Sequence, residues 1–380
     1  MTNLVYLSPL PWTSFAQRPH KFVDWFRDQS GGQVLWVDPY PTRLPKLRDV
    51  GRLFTKDPGI VEGDDVISEV GVTVLRPRAL PIEPLPFSGY VNRLFWAGML
   101  KTVQSFAKQD DTWLAIGKPS QLATLLMRNG GFTHSIYDCM DHFAAFYSGV
   151  SRVVMERRER ELAEEAEFVL VSSTSLRARW HNRSSHIALV RNACDPAVLP
   201  APVGAYQLGE RPVFGYVGTI GSWFDWDAVV ALAGANADAI VRLIGPVFSA
   251  VPRGLPANVE LLPSCPHEEA MKAVKQFHVG LIPFKRNVLT DSVDPIKYYE
   301  YRAMGLPVLS TRFGEMRYRA EAPGVFLADT PNEQRTASQL ALAHADTDAT
   351  VQAFRQQESW VRRFNDSSLQ AMLTSVTAVS

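Results

Sequence analysis

The feature that most constrains the fold of this sequence is the alternation of short apolar runs with longer amphipathic stretches along almost the whole chain. Short strands that alternate with helices are typical of parallel α/β architecture. In the first half the predicted strands are residues 4–7, 33–37, 72–75, 112–116, 135–137 and 168–172. In the second half they are residues 213–217, 240–244, 259–262, 279–283 and 308–310. The sequence therefore predicts an α/β protein with two sets of strands.

A stretch rich in proline, alanine and glycine, residues 200–209, separates the two sets and is typical of a linker. The chain has 380 residues, which is more than one ordinary core holds, so we predict two domains. Residues 1–196 form the first domain, residues 197–355 form the second, and residues 356–380 form a helix that crosses back to the first. Ligands of open α/β sheets bind at the carboxyl ends of the strands, so we expect a cleft there.

Composition excludes several classes of function. Lys and Arg together number 39, and so do Asp and Glu, so we expect no nucleic-acid partner. The three cysteines lie far apart without metal-binding spacing, which predicts a reducing compartment and no metal site. We see no signal peptide and no apolar run that could span a bilayer, and therefore expect a cytoplasmic protein.

The start and the stop of one helix in the second half are both visible in the sequence. Asp294 is a good N-cap residue, and Pro295 suits the first helical turn because its missing N–H has no partner there anyway. Gly305 is expected to end the helix in the left-handed conformation, and Pro307 prevents its continuation. These signals predict a helix over residues 295–304.

Lys297 lies in the first turn of this helix, where the helix dipole disfavours a cation. A lysine is better explained there if an anion such as a phosphate binds to the helix start. Glu300 follows on the same face, where a carboxylate can accept the hydroxyls of a ribose. The alternative is a surface ion pair between Lys297 and Glu300, worth a few tenths of a kcal/mol.

The segment from Glu300 to Val308 resembles the donor-site helix of GT-B glycosyltransferases, in which a glutamate, a small-residue turn and a Gly-x-Pro-Val run follow one another. The resemblance implies two Rossmann-like domains that face each other across a cleft. It implies that Glu300 binds the nucleotide ribose. Lys297 resembles the diphosphate-binding lysine of members that assemble exopolysaccharides and cell-wall polymers. Ser292 stands where many members have a second glutamate.

Other loops at predicted strand ends add to this donor site. The strand 213–217 runs into a glycine loop that resembles the first loop of the GT-B donor domain and allows close approach of a pyrophosphate. Lys285 and Arg286 either assist the phosphates or form a solvated loop. The predicted donor-binding residues are Gly218, Thr219, Ile220, Gly221, Pro263, Phe284, Asp294, Ile296, Lys297 and Glu300.

In the first half, Asp138, Asp141 and His142 follow the predicted strand 135–137. Two carboxylates beside a histidine can shift each other's pKa and yield a general base. The loop resembles that of polymer-assembly GT-B enzymes, which implies that Asp141 is the base of an inverting reaction. Asp138 and His142 are then accessory, with Asp138 structural. The alternative is that Asp141 or His142 caps the following helix.

Arg18 and His20 follow the loop after the first strand. We expect them to contact the acceptor or the leaving sugar, with His20 as a second catalytic candidate. The alternative for His20 is a histidine at a helix start without a chemical role.

The resemblance implies a glycosyltransferase of the hexosyltransferase type. Its co-substrate is a nucleotide-diphosphate sugar, with UDP favoured, and no metal or other cofactor is expected. The acceptor is a carbohydrate or lipid-linked oligosaccharide in surface polysaccharide or glycoconjugate synthesis. Two alternatives stay open: a non-catalytic nucleotide-sugar-binding or scaffold subunit, which Ser292 supports, and a UDP-sugar epimerase of the same fold.

Residues 89–108 combine aromatic and aliphatic side chains with Arg93, Lys101 and Lys108. This composition is typical of a helix that lies in a membrane interface, which would bring the protein to the inner face of the membrane as a peripheral protein. The alternative is an ordinary half-buried helix whose aromatic stripe faces the core.

Overall fold

The computed structural model describes residues 1–42, 67–69, 71–203, 206 and 210–377, and these residues form two compact units. The first unit comprises Met1–Ser172, Leu176–Val190 and Phe364–Ser380, and the second comprises Ser173–Ser175 and Arg191–Arg363. The chain passes from the first unit to the second between Val190 and Arg191, slightly before the domain boundary that we predicted at residue 196. Half of the linker predicted at 200–209 lies outside the described residues.

The first unit is built on a sheet that, in the part of the chain described, has the order β3-β4-β2-β1-β5-β6-β7-β8. β3 pairs antiparallel with β4, and the other pairings are parallel. The strands are β1 (Thr2–Leu7), β2 (Gly31–Val37), β3 (Ile67–Glu69), β4 (Val72–Leu75), β5 (Asp111–Ile116), β6 (His134–Cys139), β7 (Phe168–Val171) and β8 (Ile187–Leu189).

Helices cover the faces of this sheet, and the core lies between them and the strands. They are α1 (Arg18–Ser30), α2 (Ser88–Ala107), α3 (Gln121–Asn129), α4 (Gly149–Glu165) and α5 (Thr174–Trp180), with a 3₁₀ turn at Phe143–Phe146. The aromatic stripe predicted for residues 89–108 is only partly buried, because α2 turns Trp96 into the core and leaves Tyr90 and Phe95 exposed.

The second unit contains a parallel sheet in the order β11-β10-β9-β12-β13-β14. Its strands are β9 (Val213–Val217), β10 (Ile240–Ile244), β11 (Val259–Leu262), β12 (Val279–Ile282), β13 (Val308–Ser310) and β14 (Val325–Leu327). Its helices are α6 (Trp226–Ala235), α7 (His267–Val274), α8 (Ile296–Ala303), α9 (Pro331–Ala343) and α10 (Asp348–Gln357), with a 3₁₀ turn at Gly314–Arg319. The α/β class with two Rossmann-like sheets, parallel apart from the pairing of β3 with β4, is therefore confirmed.

The C-terminal segment forms α11 (Trp360–Asn365) and α12 (Ser368–Thr377) rather than one continuous helix. Phe364 packs on α1 of the first unit, with its ring centroid 5.4 Å from that of Phe22 and 5.3 Å from that of Trp25. The Trp25 Nε1 donates a hydrogen bond to Asn365 Oδ1 at 2.7 Å. These contacts fix the end of the chain on the first unit.

No helix in the described ranges is both long and apolar enough to cross a membrane.

Candidate functional site

The strand order of the second unit places a ligand crevice between β9 and β12. From β9 the chain proceeds outward to β10 and β11, and then returns to the other side of β9 with β12. The connections after β9 and β12 therefore diverge to opposite sides, and ligands of open α/β sheets bind at such a point. The loops that follow these two strands carry residues 218–221 and Phe284, both of which the sequence singled out.

Two glycines bring the loops after β9 and β10 together. Gly218 and Gly245 have φ angles of 141° and 139°, which side chains rarely adopt. A Cβ on Gly245 would lie 2.2 Å from the Gly218 carbonyl oxygen, so the backbones meet closely. The Ile220 N–H donates to the Pro246 carbonyl at 2.9 Å, which fixes the glycine loop in place.

Helix α8 reaches this loop because small and aromatic residues position it. Gly280 on β12 leaves room for the Tyr301 ring, which a Cβ at that glycine would approach to 2.3 Å. The Tyr301 hydroxyl accepts a hydrogen bond from the Val217 N–H, at the end of β9, at 3.2 Å. The first turn of α8 therefore lies beside the glycine loop. As predicted, Gly305 ends the helix region in the left-handed conformation, with φ of 77°.

Lys297 projects from that first turn onto the glycine loop. A Cβ on Gly218 would lie 2.7 Å from the Lys297 Nζ, so the glycine is the residue that leaves space for the ammonium. The Nζ lies 5.4 Å from the centroid of the Tyr216 ring, within the range of a cation–π contact. The surface ion-pair alternative requires a solvated lysine, whereas this side chain is half-buried against the loop.

Burial lowers the pKa of Lys297, and the nearby charge of Glu300 only partly offsets it. A lowered pKa means that the charged form is short of compensating negative charge. The N–H groups at the start of α8 add positive potential at the same place. Lysine, helix start and glycine loop together form a site that fits an anion such as a diphosphate.

Asp294 does not cap α8. The helix begins at Ile296 with Pro295 as its N-cap residue, and the cap makes no side-chain hydrogen bond. The buried Asp294 carboxylate instead accepts hydrogen bonds from the Arg319 Nη2 at 2.6 Å, the Tyr299 hydroxyl at 3.0 Å and the Asn192 N–H at 2.7 Å. Its prediction as an N-cap was wrong because partners distant in sequence compete for the carboxylate. Those contacts give it a structural role beneath the helix start.

Some of the remaining predicted donor residues are accessible at the glycine loop, and others are buried beneath it. Phe284 is buried and packs on Phe313 with ring centroids 4.9 Å apart, so it supports the loop from below. The Thr219 carbonyl accepts from the Tyr216 hydroxyl at 2.8 Å, and Ile220 is fully buried. The buried side chains of Phe284 and Ile220 therefore support the loop. Half-buried residues near it are Gly218, Thr219 and Ile296, and Pro263 is exposed.

The two cations after β12 have different surroundings. Arg286 forms an exposed ion pair with Asp329 at 3.2 Å, which favours the solvated-loop alternative for this residue. Lys285 is exposed, and its backbone N–H donates to the Trp223 carbonyl at 2.7 Å. Lys297 therefore carries the buried positive charge of this site.

Phe248 is a candidate site residue that sequence reasoning missed. Its side chain is 73% exposed, and its N–H donates to the Ile220 carbonyl at 2.9 Å. It therefore lies beside the glycine loop. The signal in the sequence was a large apolar residue in the loop after β10, two residues after Pro246.

In the first unit, Arg18 and Asp138 form a buried ion pair. The Arg18 Nη2 lies 2.7 Å from Asp138 Oδ1, and the Nη1 donates to the Val190 carbonyl at 2.6 Å. The Tyr6 hydroxyl donates to the same carboxylate at 3.1 Å. Arg18 therefore does not present its guanidinium to an acceptor as we predicted, since burial and these partners hold it in the interior. The burial of Asp138 and these contacts favour the structural role that was expected of it.

His20 belongs to the start of α1. Its Nδ1 accepts from the Gln17 N–H at 3.2 Å, and its Nε2 lies 3.1 Å from the Trp12 carbonyl. Its ring packs against Trp36 with centroids 4.9 Å apart, and burial lowers its pKa. The imidazole has backbone partners on both nitrogens, which favours the structural alternative over the catalytic prediction.

Asp141 lies in the loop after β6, and its pKa lies in the range that suits a general base. Burial raises its pKa to about 7, and nearby Arg18 opposes this only in part. A carboxylate with this pKa exchanges its proton near neutral pH. The capping alternative fails, because His142 is the N-cap residue of the 3₁₀ turn and makes no side-chain cap hydrogen bond.

Glu159 of α4 provides the cap that Asp141 and His142 do not. Its carboxylate accepts from the Phe143 N–H at 3.0 Å and from the Ala144 N–H at 3.1 Å. It is fully buried, and burial raises its pKa to about 7. Glu159 therefore holds the loop that carries Asp141, although its place in a charged helix gave no sign of this in the sequence.

No protein-family model matches the sequence. TuaH of Bacillus subtilis (strain 168), named for a glycosyltransferase role in teichuronic acid biosynthesis, is 26% identical over 199 residues. That alignment covers 46% of this chain and 50% of TuaH, so the chain spans about half the length of this relative.

Solved structures match over the whole chain. Sucrose-phosphate synthase from Thermosynechococcus elongatus has a TM-score of 0.66 at 14% identity, with 100% of both chains covered. HepE of Anabaena in complex with UDP has a TM-score of 0.59 at 12% identity, covering 99% of this chain and 100% of that one. Two parallel α/β sheets with these structural relatives show that the chain has the fold of the GT-B glycosyltransferases.

Proposed function

We propose that the protein is a glycosyltransferase that takes a sugar from a nucleotide-diphosphate donor, UDP being favoured, held in the second unit. The observation that carries this proposal is the half-buried ammonium of Lys297 between the glycine loop and the start of α8. A buried cation short of negative charge is costly for the free protein, and a diphosphate offsets that cost. The UDP complex of HepE, which has the same fold, supports the choice of donor.

The chemistry of transfer follows from the charges at this site. When the bond from the sugar to the diphosphate breaks, negative charge grows on the leaving phosphate oxygen. Lys297 and the N–H groups of α8 stabilise that charge without a metal ion or other cofactor. Glu300, on the same face of α8, binds the ribose hydroxyls. Electrostatic stabilisation of this kind is commonly the largest contribution to catalysis.

Asp141 is the proposed general base. In an inverting reaction it takes the proton from the acceptor hydroxyl as the oxygen of that hydroxyl attacks the sugar carbon and the nucleoside diphosphate leaves. A pKa of about 7 suits this role, because the base is then available at neutral pH and still accepts a proton.

The proposed acceptor is a carbohydrate or lipid-linked oligosaccharide of a surface polysaccharide or glycoconjugate, reached at the inner face of the membrane. The naming of TuaH for teichuronic acid biosynthesis supports this acceptor class. The equal numbers of basic and acidic residues speak against a nucleic-acid partner.

One observation favours a second candidate, a nucleotide-sugar-binding subunit without turnover. Ser292 occupies the position of the family's second glutamate, and it is buried. A buried serine offers no carboxylate to the hydroxyls of a donor sugar. Binding of nucleotide without sugar transfer or hydrolysis would identify this subunit.

The test is thermal unfolding with UDP, GDP, dTDP, ADP and CMP, for the unmodified chain and for Lys297→Ala. A ligand at about 100 times its Kd stabilises by about 2.7 kcal/mol. We expect a clear preference for one diphosphate that Lys297→Ala abolishes. The matched control is Lys272→Ala, which removes an exposed lysine of α7. No stabilisation by any nucleotide, or equal stabilisation of the Lys297 variant, would contradict the proposal.

A further inference from the structure

The first unit exposes a cluster of large apolar side chains at the start of α2. Phe87 is 78% exposed, Tyr90 74% and Leu94 79%, and Val91 and Phe95 are exposed as well. Their spacing places them along one side of the helix. We call these five residues the apolar face of α2. Single exposed apolar residues are ordinary, whereas a cluster of this kind marks a contact surface.

The loop before α2 is held from below by buried polar groups. The Glu83 carboxylate accepts from the Gln121 N–H at 2.8 Å and lies 3.2 Å from the Arg158 guanidinium. The Ser88 hydroxyl donates to the Glu83 carbonyl at 2.8 Å and accepts from Gln121 Nε2 at 2.9 Å. Phe87 has a φ of 62°, which is strained for a bulky side chain. The fold therefore holds Phe87 outward on a fixed support.

A cavity of about 680 Å³ opens beside the apolar face, among residues of α2, α3 and α4. Its wall is partly apolar, with Leu85, Phe87 and Tyr90, and partly charged, with Arg93 and with Arg157, which pairs with Glu161 of the same wall at 2.7 Å. Guanidinium groups bind phosphate oxygens well. The cavity thus places the Arg93 guanidinium beside an apolar wall, a combination that fits an anionic phospholipid.

The charges of α2 distinguish a bilayer from a second copy of the chain. Over Ser88–Ala107 the helix contains Arg93 and Lys101 and no acidic residue. A symmetric contact between two copies would bring this patch onto itself and oppose like charges. An anionic membrane surface instead attracts each basic residue by about 1 kcal/mol. Basic and apolar residues without acids on one helix are typical of interfacial binding.

We propose that the apolar face of α2 docks on an anionic phospholipid bilayer, with Phe87, Tyr90 and Leu94 at the boundary of the acyl chains. Arg93 then lies at the phosphate headgroups. This inference rests on the proposed membrane-side function, but vesicle binding requires neither donor nor turnover. Failure to bind vesicles leaves the transferase untouched, and failure of the transferase leaves vesicle binding untouched.

The experiment is co-sedimentation of the full chain with vesicles of phosphatidylcholine alone and with vesicles of phosphatidylcholine and phosphatidylglycerol in equal parts. We expect binding to the anionic vesicles that weakens at high salt. Leu94→Ala and Arg93→Glu should each lower the partition coefficient by about tenfold. The matched controls are Leu340→Ala and Arg335→Glu on α9, which change exposed residues of the second unit and should leave binding unchanged.

All four positions are exposed, so the variants should fold like the unmodified chain. Absence of vesicle binding, equal binding to both compositions, or equal losses in the α9 controls would each overturn the proposal. Analytical ultracentrifugation without lipid tests whether a second copy of the chain binds to this face instead. Concentration-dependent dimers that Leu94→Ala abolishes would assign the face to a second copy instead.

Discussion

Substitution of Asp141 by asparagine should stabilise the protein and at the same time remove its activity. Burial raises the pKa of this carboxyl to about 7, whereas an ordinary aspartate titrates at about 3.9. The folded chain therefore holds the proton more tightly than the unfolded chain does. The contribution of Asp141 to the free energy of unfolding is complete below about pH 3.9 and is lost as the pH rises to about 7.

The difference between the two pKa values corresponds to at most about 4 kcal/mol. Partial solvent access at the half-buried side chain reduces this, so we expect about 2 to 4 kcal/mol at pH 8. Asparagine has the same shape and carries no charge, so Asp141→Asn avoids the loss. The stability advantage of the variant should be small in acid and should grow with pH until it levels off above about 7.

The assay is urea unfolding of both proteins over a pH series, with Asp110→Asn as a control at an exposed site of the same unit. In parallel, the pH dependence of kcat/KM should show an acidic limb near 7 that falls about tenfold per pH unit below it. A stability difference that does not vary with pH would refute the burial argument. An acidic limb near 4, or full activity of Asp141→Asn, would refute the role as base.

Three further substitutions test the support of the two candidate loops. Gly218→Ala places a Cβ 2.7 Å from the Lys297 Nζ at a φ of 141°, so unfolding should show a loss of about 1 to 3 kcal/mol and UDP should no longer stabilise the protein. Glu159→Gln weakens the cap of the loop that carries Asp141, so steady-state kinetics should show kcat lower by about tenfold with KM little changed. Asp294→Asn leaves the buried Arg319 without its ion pair, so urea unfolding should show a loss of about 3 to 5 kcal/mol.

Matched controls separate these effects from nonspecific damage. Gly234→Ala lies in α6, where nothing lies within 4 Å of the added Cβ, and should not weaken UDP binding. Glu164→Gln, on an exposed part of α4, should keep kcat. Asp291→Asn breaks an exposed ion pair and should change stability by at most about 1 kcal/mol. Equal effects in a variant and its control would contradict the corresponding prediction.

Much of the fold could be predicted from the sequence, because parallel strands are apolar throughout and helices carry their own start and stop signals. Helix α8 is an example, since Pro295, Gly305 and Pro307 mark its ends. The strands that were missed are short: β3, β8 and β14. Short strands at or near a sheet edge owe their conformation to pairing with a neighbour, so their own residues carry little signal.

The site was less predictable, because partners distant in sequence decide what a charged residue does. Asp294 resembled an N-cap until the positions of Arg319 and Asn192 were known. Arg18 was predicted to contact the acceptor or the leaving sugar, yet its partner Asp138 lies on β6, 120 residues further along the chain. Local patterns report the residue type and its place on an element, but not the pairing of charges across the fold.

That pairing separates the supporting residues of this protein from those that substrates are expected to contact. Arg18 and Asp294 were predicted site residues, and each finds an opposite charge within its own unit. The pKa values of Lys297, Asp141 and His20 shift away from the charged form because burial exceeds the compensation that neighbours give, and of these His20 has backbone partners on both ring nitrogens. A diphosphate supplies the charge that Lys297 lacks, and an acceptor proton neutralises Asp141. The free protein is therefore less stable than it would be if these charges were compensated, and bound ligands supply that compensation. Perturbed pKa values mark functional sites for this reason.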